Sequence, residues 1–461
     1  MPARNVGSFR DPSGHIYESK GGIFRTVAPI AAPEYEATRD SGLMRSLVDS
    51  QKLVDFGEVG QDRLSGLPAR AAYILEHPRL SFISYPYEWS FSLLRDAALF
   101  HLDLHLEVLE RGFTLSDASA YNIQFNGPHP IFIDHLSLRR YRDGEFWTGH
   151  RQFCEQFLNP LLLRSLFGVP HNSWYRGNLE GISVGDIAKL VRFRHKFSWN
   201  MLSHVVLQNR FQQGVSADKA PSASLKERRL PLSGYKGLLK QLRNWIGRLT
   251  PERLGSTVWG NYATTHTYSG EEEAAKKQFV ADFVKASGVK TTIDLGCNTG
   301  DYSKIALECG GERALGFDFD QQALDRAHHR AKDQKLNFLP LFLDAKNPSP
   351  DQGWRQAERS GLATRTKADA VFALAFEHHL TIAHNVPLEQ VIGWITDIAP
   401  RGVLEFVPKS DPTVQKMLAL REDIFPDYTE ENFARILSSL RRVEKKETVS
   451  NSGRVLYAFG A

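Results

Sequence analysis

The residues with the clearest chemical pattern lie between 291 and 303, in the sequence TTIDLGCNTGDYS. A β-branched run ends in Asp294, glycines follow at Gly296 and Gly300, and a helical pattern begins at Tyr302. This order predicts a strand, a tight turn and a helix start, a geometry in which backbone amides approach a ligand closely. A βα turn can also need glycine for its own backbone, so a purely structural role stays open.

The alternation Asp294-x-Gly296-x-Asn298-x-Gly300 resembles motif I of the class I S-adenosylmethionine (SAM) methyltransferases, with Asn298 in place of the middle glycine. It differs from the dinucleotide fingerprint G-x-G-x-x-G. The resemblance implies a SAM site in a Rossmann-like domain, to which all four of these residues contribute.

Carboxylates also follow the next two predicted strands, at Asp318 and Asp344. A carboxylate at the end of the second strand can accept hydrogen bonds from both hydroxyls of a ribose. By the same resemblance Asp318 matches the ribose ligand, with Asp320 as second choice, and Asp344 matches the position that contacts the adenine amino group. By the same resemblance Tyr262 or Tyr268, which precede the motif, is expected to line the cofactor site. Each carboxylate can alternatively cap the helix that follows it.

Three titratable residues, Glu377, His378 and His379, follow the fourth predicted strand. Ligands of open parallel sheets bind at the carboxyl ends of strands, and the resemblance implies that the transferred methyl group lies beside this one. A histidine, with an ordinary pKa of ~6.5, suits a general base for a hydroxyl. These three residues are therefore the catalytic candidates. The alternative is a packed histidine whose ring is bonded to backbone.

A second polar group lies in the N-terminal half, where Asn122 follows Asp117 by five positions and Asp134 follows Asn122 by twelve. One carboxylate can orient an acceptor hydroxyl, while amide and carboxylate oxygens hold Mg²⁺ against phosphates. This spacing, after a predicted strand over 80–85 and a predicted helix over 88–111, resembles the protein-kinase-like and aminoglycoside-kinase-like folds. The resemblance implies a Mg²⁺ site at Asn122 and Asp134, with Asp117 nearby and Mg-ATP as the ligand.

The same half departs from the kinase pattern in several places. It has no G-x-G-x-x-G loop near its start, Leu115 stands where a histidine is usual, and His135 follows Asp134. We therefore predict a kinase-like fold with weak or absent phosphotransferase activity. The alternative is that Asp117, Asn122 and Asp134 only cap turns and strands.

Composition divides the chain into three parts. Residues 213–234 are rich in Ser, Ala, Pro, Lys and Arg, which predicts a linker, and a basic amphipathic helix is predicted over 235–249. We predict an α+β domain, kinase-like, over 1–212, a linker with that helix over 213–255, and the methyltransferase domain over 256–461. The helix can bind a peripheral membrane surface or a partner, or it can pack its apolar face on its own protein.

The C-terminal part alternates predicted strands and helices, which indicates an α/β fold. Seven strands are expected, the last two forming an antiparallel hairpin around Asn451-Ser452-Gly453. The sequences IDLGCNTG, LEFVPKSDP and REDIFPDY are also similar to a group of methyltransferase-like proteins that includes the NoeA-type nodulation proteins.

The overall composition limits the function classes. With 461 residues, 42% hydrophobic and 24% charged, the chain is typical of a globular protein of two or three domains. Its net charge of +4 disfavours nucleic acid as a ligand. Three cysteines without metal-ligand spacing, no signal-peptide pattern and no apolar run of ~20 residues predict a cytoplasmic protein with no transmembrane segment.

Together these patterns predict a SAM-dependent methyltransferase that acts on an oxygen or nitrogen nucleophile of a glycan, small molecule or protein. Two other functions stay open: a non-catalytic SAM-binding regulatory protein, and a bifunctional methyltransferase and kinase.

Overall fold

The computed structural model describes residues 3–64, 71–191, 199–206, 229–252, 270–419 and 421–461. The chain divides into two compact units. Unit 1 comprises Met1–Arg253 together with Asp351–Arg359, and unit 2 comprises Leu254–Pro350 and Ser360–Ala461. This division differs from the predicted boundaries because unit 1 extends past residue 212 and includes a short segment from the C-terminal half.

Unit 1 contains a five-stranded antiparallel sheet and two hairpin-like pairs. The sheet has the order β1-β2-β3-β5-β4, and the smaller pairs are β6-β9 and β7-β8. The strands are β1 (Ala3–Arg4), β2 (Ile16–Ser19), β3 (Gly22–Val27), β4 (Gly57–Val59), β5 (Tyr73–His77), β6 (Phe113–Leu115), β7 (Ile123–Asn126), β8 (His129–Phe132) and β9 (Leu138–Arg140). The strand predicted over 80–85 is wrong, since the strand of that region is β5.

The longest helix of unit 1 among the described residues is α3 (Phe91–Glu110). It begins at the N-cap Ser90, whose hydroxyl accepts from the Leu93 amide, and its apolar positions recur at helical spacing and are buried. The other described helices are α1 (Ala32–Asp40), α2 (Leu43–Asp49), α4 (His150–Phe153), α5 (Asn159–Phe167), α6 (Asn172–Gly177), α7 (Val184–Leu190), α8 (Trp199–Met201) and α9 (Leu232–Gly247). Two π-helical turns, Cys154–Leu158 and Leu202–Val206, complete this set.

The basic helix α9 packs on α3 within unit 1. Its apolar face is buried at Tyr235, Leu239, Leu242 and Ile246, and Arg243 forms an ion pair with Asp103 of α3. The helix therefore belongs to the N-terminal unit, whereas residues 213–228 of the predicted linker lie outside the described residues. The face that was considered for a membrane or a partner is covered by the protein itself.

Unit 2 contains a seven-stranded sheet of order β12-β11-β10-β13-β14-β16-β15. The first five strands in this order are parallel, while β16 pairs antiparallel with β14 and β15. The strands are β10 (Thr291–Leu295), β11 (Arg313–Asp318), β12 (Phe338–Phe342), β13 (Ala370–Ala373), β14 (Gly402–Phe406), β15 (Arg442–Thr448) and β16 (Val455–Gly460). The predicted sheet with an antiparallel terminal hairpin is therefore present, and its order reverses between β10 and β13.

Helices cover both faces of this sheet. One core joins Phe279 and Phe283 to Phe372 and Leu456, and another joins Leu324 to Phe338. The described helices are α10 (Gly270–Ser287), α11 (Asp301–Glu308), α12 (Gln321–Asp333), α13 (Leu362–Arg365), α14 (Glu377–His384), α15 (Leu388–Ile398), α16 (Pro412–Leu418) and α17 (Glu430–Leu440). None of the helices in the described ranges has the length and apolar character needed to cross a membrane.

Candidate functional site

The turn after β10 depends on its glycines. Gly296 and Gly300 have φ of +74° and +84°, and a Cβ at Gly300 would lie 2.4 Å from Cε1 of Phe338. Asn298, in the position of the missing middle glycine, has φ of +47°, a conformation that asparagine adopts more readily than most residues. The turn therefore combines left-handed backbone with a close approach, and it opens helix α11.

Asp318, at the end of β11, holds this turn in place. Its Oδ2 accepts from the Asn298 amide at 2.8 Å and its Oδ1 accepts from the Asp320 amide at 2.8 Å. Burial raises the pKa of Asp318, and these amides oppose that shift. Each oxygen keeps a second lone pair, so the fixed carboxylate can accept hydroxyl donors from a ligand. Asp320 instead caps helix α12, accepting from the Gln322 amide at 2.7 Å.

Asp294 occupies a different environment from the one predicted. It is 1% exposed, and its Oδ2 accepts from the Ser303 hydroxyl at 2.7 Å. Burial raises the pKa of this carboxyl to about 7. Asp294 therefore ties β10 to the first turn of α11 from inside the unit, and its role as a cofactor ligand stays a prediction.

The next strand end carries Asp344, which is partly buried beyond β12. Beside Asp318, the side chain of Phe319 is 58% exposed and its ring centroid lies 5.8 Å from that of Phe342. Such an exposed aromatic face can stack on a nucleobase. Sequence reasoning missed Phe319, although an aromatic residue directly after a strand-end acid is a readable signal. Tyr262 lies outside the described residues.

The three catalytic candidates differ sharply in environment. Glu377 is 1% exposed, and its Oε1 accepts from the Tyr428 hydroxyl at 2.7 Å and from the Val407 amide at 3.2 Å. His378 is fully buried, with Nδ1 3.1 Å from Oε2 of Glu377. These interior contacts give Glu377 and His378 a structural role, and their catalytic role stays a prediction. His379 is partly exposed, and burial beside His378 lowers its pKa well below the ordinary value, so its ring is neutral.

A buried ion pair underlies the same edge of the sheet. Lys276 Nζ lies 2.7 Å from Oε2 of Glu405, and the two side chains are 2% and 0% exposed. The same Oε2 accepts from the amide of Ala375 at 2.7 Å, and Ala375 has φ of +49° at the end of β13. A left-handed alanine costs conformational energy and persists where its surroundings enforce it. Glu405 is thus a positioning residue for the backbone that precedes His379.

In unit 1 the structure brings the second polar group together. Nδ2 of Asn122 donates to Oδ1 of Asp117 at 3.0 Å and to Oδ2 of Asp134 at 3.1 Å. Burial and the neighbouring Asp134 raise the pKa of Asp117 to about 7. Arg25 of β3 lies 2.8 Å from Oδ1 of Asp134 and 2.6 Å from Oδ2 of Asp11. A guanidinium therefore already neutralises one of the two predicted metal ligands.

Comparison with known proteins gives distant structural likeness and one close relative. No protein-family model matches the chain. Similar solved structures include the PH0226 protein of Pyrococcus horikoshii OT3, 15% identical with a TM-score of 0.33, covering 45% of this chain and 99% of that one. Another is the N-methyltransferase NodS of Bradyrhizobium japonicum WM9, 14% identical with a TM-score of 0.30, covering 41% and 97% respectively. These scores are too low to assign a function.

The nodulation protein NoeA of Rhizobium meliloti (strain 1021) is much closer. It is 51% identical over 459 residues, which cover 99% of this chain and 96% of that protein. The predicted similarity to NoeA-type proteins is confirmed, and the chain belongs to the family of the nodulation protein NoeA.

Proposed function

We propose that unit 2 binds SAM and transfers its methyl group to an oxygen or nitrogen nucleophile. The observation that carries this proposal is the carboxylate of Asp318, fixed by two backbone amides beside the left-handed turn at Gly296–Gly300. The turn that Asp318 holds follows β10, and the strand order of the parallel sheet reverses between β10 and β13, the usual position of ligands in such sheets. Phe319 supplies an adjacent aromatic face and Asp344 the next strand-end carboxylate.

In this arrangement the chain's residues divide the work between binding and transfer. Asp318 accepts the ribose hydroxyls, the left-handed turn at Gly296–Gly300 lies against the remainder of the cofactor, and Phe319 stacks on the adenine. SAM itself supplies the activated methyl group. The site brings an acceptor atom into line with that methyl, so orientation and exclusion of water carry much of the rate. His379 is the candidate for taking a proton from the acceptor, because its ring is the partly exposed one of the three, and its lowered pKa makes it a weaker base than an ordinary histidine.

The class of the methyl acceptor is inferred from the composition of the chain, not from contacts in the site. The small net charge of the chain disfavours nucleic acid as the acceptor. We propose a glycan, small molecule or protein, methylated in the cytoplasm. The relative NoeA is named for nodulation, and the proposal extends to participation in that process.

Calorimetric titration of SAM into the full chain tests the binding step. Asp318→Ala should weaken binding by about 1.5–3 kcal/mol, roughly 10–150-fold, because a charged acceptor of hydroxyls is lost. Asp320→Ala is the matched control, since it removes a helix cap and should leave SAM affinity nearly unchanged. Equal SAM affinity in the wild type and Asp318→Ala, or no saturable binding by the folded wild type, would contradict the proposal.

Product formation separates an enzyme from a SAM-binding regulatory protein. Incubation with SAM and a cell extract as acceptor pool should release S-adenosylhomocysteine. His379→Ala should lower the turnover while keeping SAM affinity, whereas His384→Ala, an exposed residue on the same helix, should match the wild type. SAM binding without any product in the wild type would favour the regulatory protein.

A second function is favoured by the hydrogen bonds that hold Asp117, Asn122 and Asp134 together in unit 1. We propose that this group binds a nucleotide with a divalent cation, with Asn122 and Asp134 as ligands and Asp117 toward the acceptor. Because Arg25 already pairs with Asp134, the cation must compete with a guanidinium, which agrees with weak or absent phosphotransferase activity.

Titration of ATP into the full chain, with and without Mg²⁺, tests this second function. Asp134→Asn should abolish any Mg²⁺-dependent binding, and Asp143→Asn, an exposed residue of the same unit, should leave it unchanged. Arg25→Met should strengthen the Mg²⁺ dependence by removing the competing charge. Binding that ignores both Asp134→Asn and Mg²⁺ would rule out the cation site.

A further inference from the structure

Two histidines and a cysteine meet in unit 1, apart from the two groups described above. His150 and Cys154 are four positions apart on the continuous helical segment 150–167 and therefore share a face. Nε2 of His150 lies 3.0 Å from Nδ1 of His204 and 3.7 Å from Sγ of Cys154. All three atoms lie within 4.8 Å of one another.

Both chain segments that form this cluster have unusual helical geometry. Cys154 begins the π-helical turn Cys154–Leu158, and His204 lies in the second π-helical turn, Leu202–Val206. Such turns break the regular hydrogen-bonding ladder of a helix and occur frequently at functional sites. This backbone feature points to a ligand independently of the residue types.

Two separations within the cluster, both measured from Nε2 of His150, agree with a tetrahedral metal shell. Metal–nitrogen bonds of ~2.0–2.1 Å and metal–sulfur bonds of ~2.3 Å place two nitrogens about 3.3 Å apart and sulfur about 3.6 Å from nitrogen. The observed separations are 3.0 and 3.7 Å. Separate hydrogen bonds also account for each distance taken singly, whereas one ion accounts for the convergence of all three atoms within 4.8 Å of one another.

The surroundings suit a soft ion rather than an alkaline-earth ion. Cys154 and His204 are 0% and 1% exposed, the rings of Trp147 and Trp245 pack against His150 and His204, and the cluster contains no carboxylate. Thiolate and imidazole ligands favour zinc and similar ions over magnesium or calcium.

We propose that His150, Cys154 and His204 bind a zinc-type divalent ion, whose fourth position is taken by water. The imidazoles donate lone pairs from Nε2 of His150 and Nδ1 of His204. The thiol of Cys154 forms the metal–sulfur bond and releases its proton to solvent, so the bound site gains one positive charge. The ion links the segment 199–206 to the helix at 150–167 and is independent of methyl transfer.

Metal analysis of the full chain tests this site. After dialysis against metal-free buffer, the wild type should retain zinc in a constant ratio to protein. Replacement of zinc by Co²⁺ should give a thiolate-to-cobalt charge-transfer band together with the visible bands of tetrahedral cobalt. Cys154→Ala and His204→Gln should lose the retained metal. Cys309→Ser and His384→Gln, both in unit 2, serve as controls and should keep it.

Each result of these measurements either supports or overturns the proposed metal site. Retention of metal by both Cys154→Ala and His204→Gln would overturn the site. A folded wild type that holds no zinc after incubation with Zn²⁺, or whose Co²⁺ form lacks the thiolate band, would leave only a hydrogen bond between His150 and His204. Because these last measurements use the unaltered chain, they remain decisive if the variants fail to fold.

Discussion

Replacing Lys276 by methionine should destabilise unit 2 far more than an ordinary surface charge change would. In the native protein Nζ of Lys276 lies 2.7 Å from Oε2 of Glu405, with both side chains inaccessible to solvent. The variant leaves a buried carboxylate without its nearest counter-charge, which typically costs about 3–5 kcal/mol. Arg454 Nη1 lies 3.8 Å from the other oxygen of Glu405 and compensates part of the loss. We therefore expect a loss of about 3 kcal/mol, the lower end of that range.

Native-state hydrogen exchange on the full chain measures this loss of stability locally, at the end of β13. Peptides that cover 370–376, including the amide of Ala375 bonded to Glu405, should exchange roughly 100-fold faster in Lys276→Met. Peptides from helix α3 of unit 1 provide an internal reference in the same sample. Lys277→Met is the matched control, because the neighbouring lysine pairs with Glu273 at the exposed surface and should cost about 0.5 kcal/mol or less.

A double variant separates charge from packing in this prediction. Lys276→Met combined with Glu405→Gln removes both charges and leaves an amide oxygen to accept from Ala375. It should recover much of the lost stability, because no uncompensated charge remains. Equal losses of stability in Lys276→Met and Lys277→Met would refute the argument that the buried ion pair of Lys276 and Glu405 stabilises unit 2. A double variant no more stable than Lys276→Met would show that lost packing, not charge, is responsible.

Three further outcomes are expected. Gly300→Ala should unfold at lower temperature and bind SAM more weakly than Gly310→Ala, since both have positive φ but only the first Cβ meets a neighbouring ring. In urea unfolding, the wild type should lose up to about 2.7 kcal/mol of stability relative to Asp294→Asn as the pH rises from 5 to 7. The reason is that the pKa of the Asp294 carboxyl is raised from 3.8 to about 7 in the folded protein, so its contribution to the free energy of unfolding is lost over that interval. Leu239→Ala should destabilise unit 1 by about 2–5 kcal/mol and Lys240→Ala by less than about 0.5 kcal/mol in thermal unfolding, since only the first side chain is buried.

The architecture of unit 2 was predictable because its signals are local. Short apolar strands, glycine turns and helical periods each extend over fewer than about 20 residues, and their alternation implies a parallel sheet. The orientation of Asp294 was not predictable in the same way. All side chains of β10 from Thr292 to Leu295 are buried, since helices cover both faces, so strand alternation gives no indication of which one faces a ligand.

The strand wrongly predicted over 80–85 illustrates a tertiary contact that overrides local pattern. The alternation of apolar and polar residues there is typical of a strand. In the structure Gln124 takes the place of a neighbouring strand: its side-chain amide accepts from the Ser84 amide at 2.9 Å and donates to the Ser84 carbonyl at 3.0 Å. Forty positions separate the two residues, so no local window could reveal this substitute for strand pairing.

The metal cluster proposed in unit 1 escaped sequence reasoning for a related reason. The spacing of cysteines alone excluded a metal site, whereas the cluster pairs one cysteine with two histidines. His150 and Cys154 stand at helical spacing, but His204 follows fifty positions after Cys154 and reaches it only through the fold. A cysteine four positions from a histidine, the spacing of neighbours on one helix face, was the local signal available.

Glu405 was recognisable in the sequence, but its partner and its role were not. A glutamate inside a buried strand must find a cationic partner, because an isolated buried charge is prohibitively unfavourable. The chain contains 57 lysines and arginines, and the sequence does not select Lys276, which lies 129 positions earlier. Once paired, Glu405 holds the amide of Ala375 in its left-handed conformation, four positions before His379. The position of the proposed proton acceptor therefore depends on a lysine in helix α10, and changes at Lys276 should alter methyl transfer without any contact with the substrate.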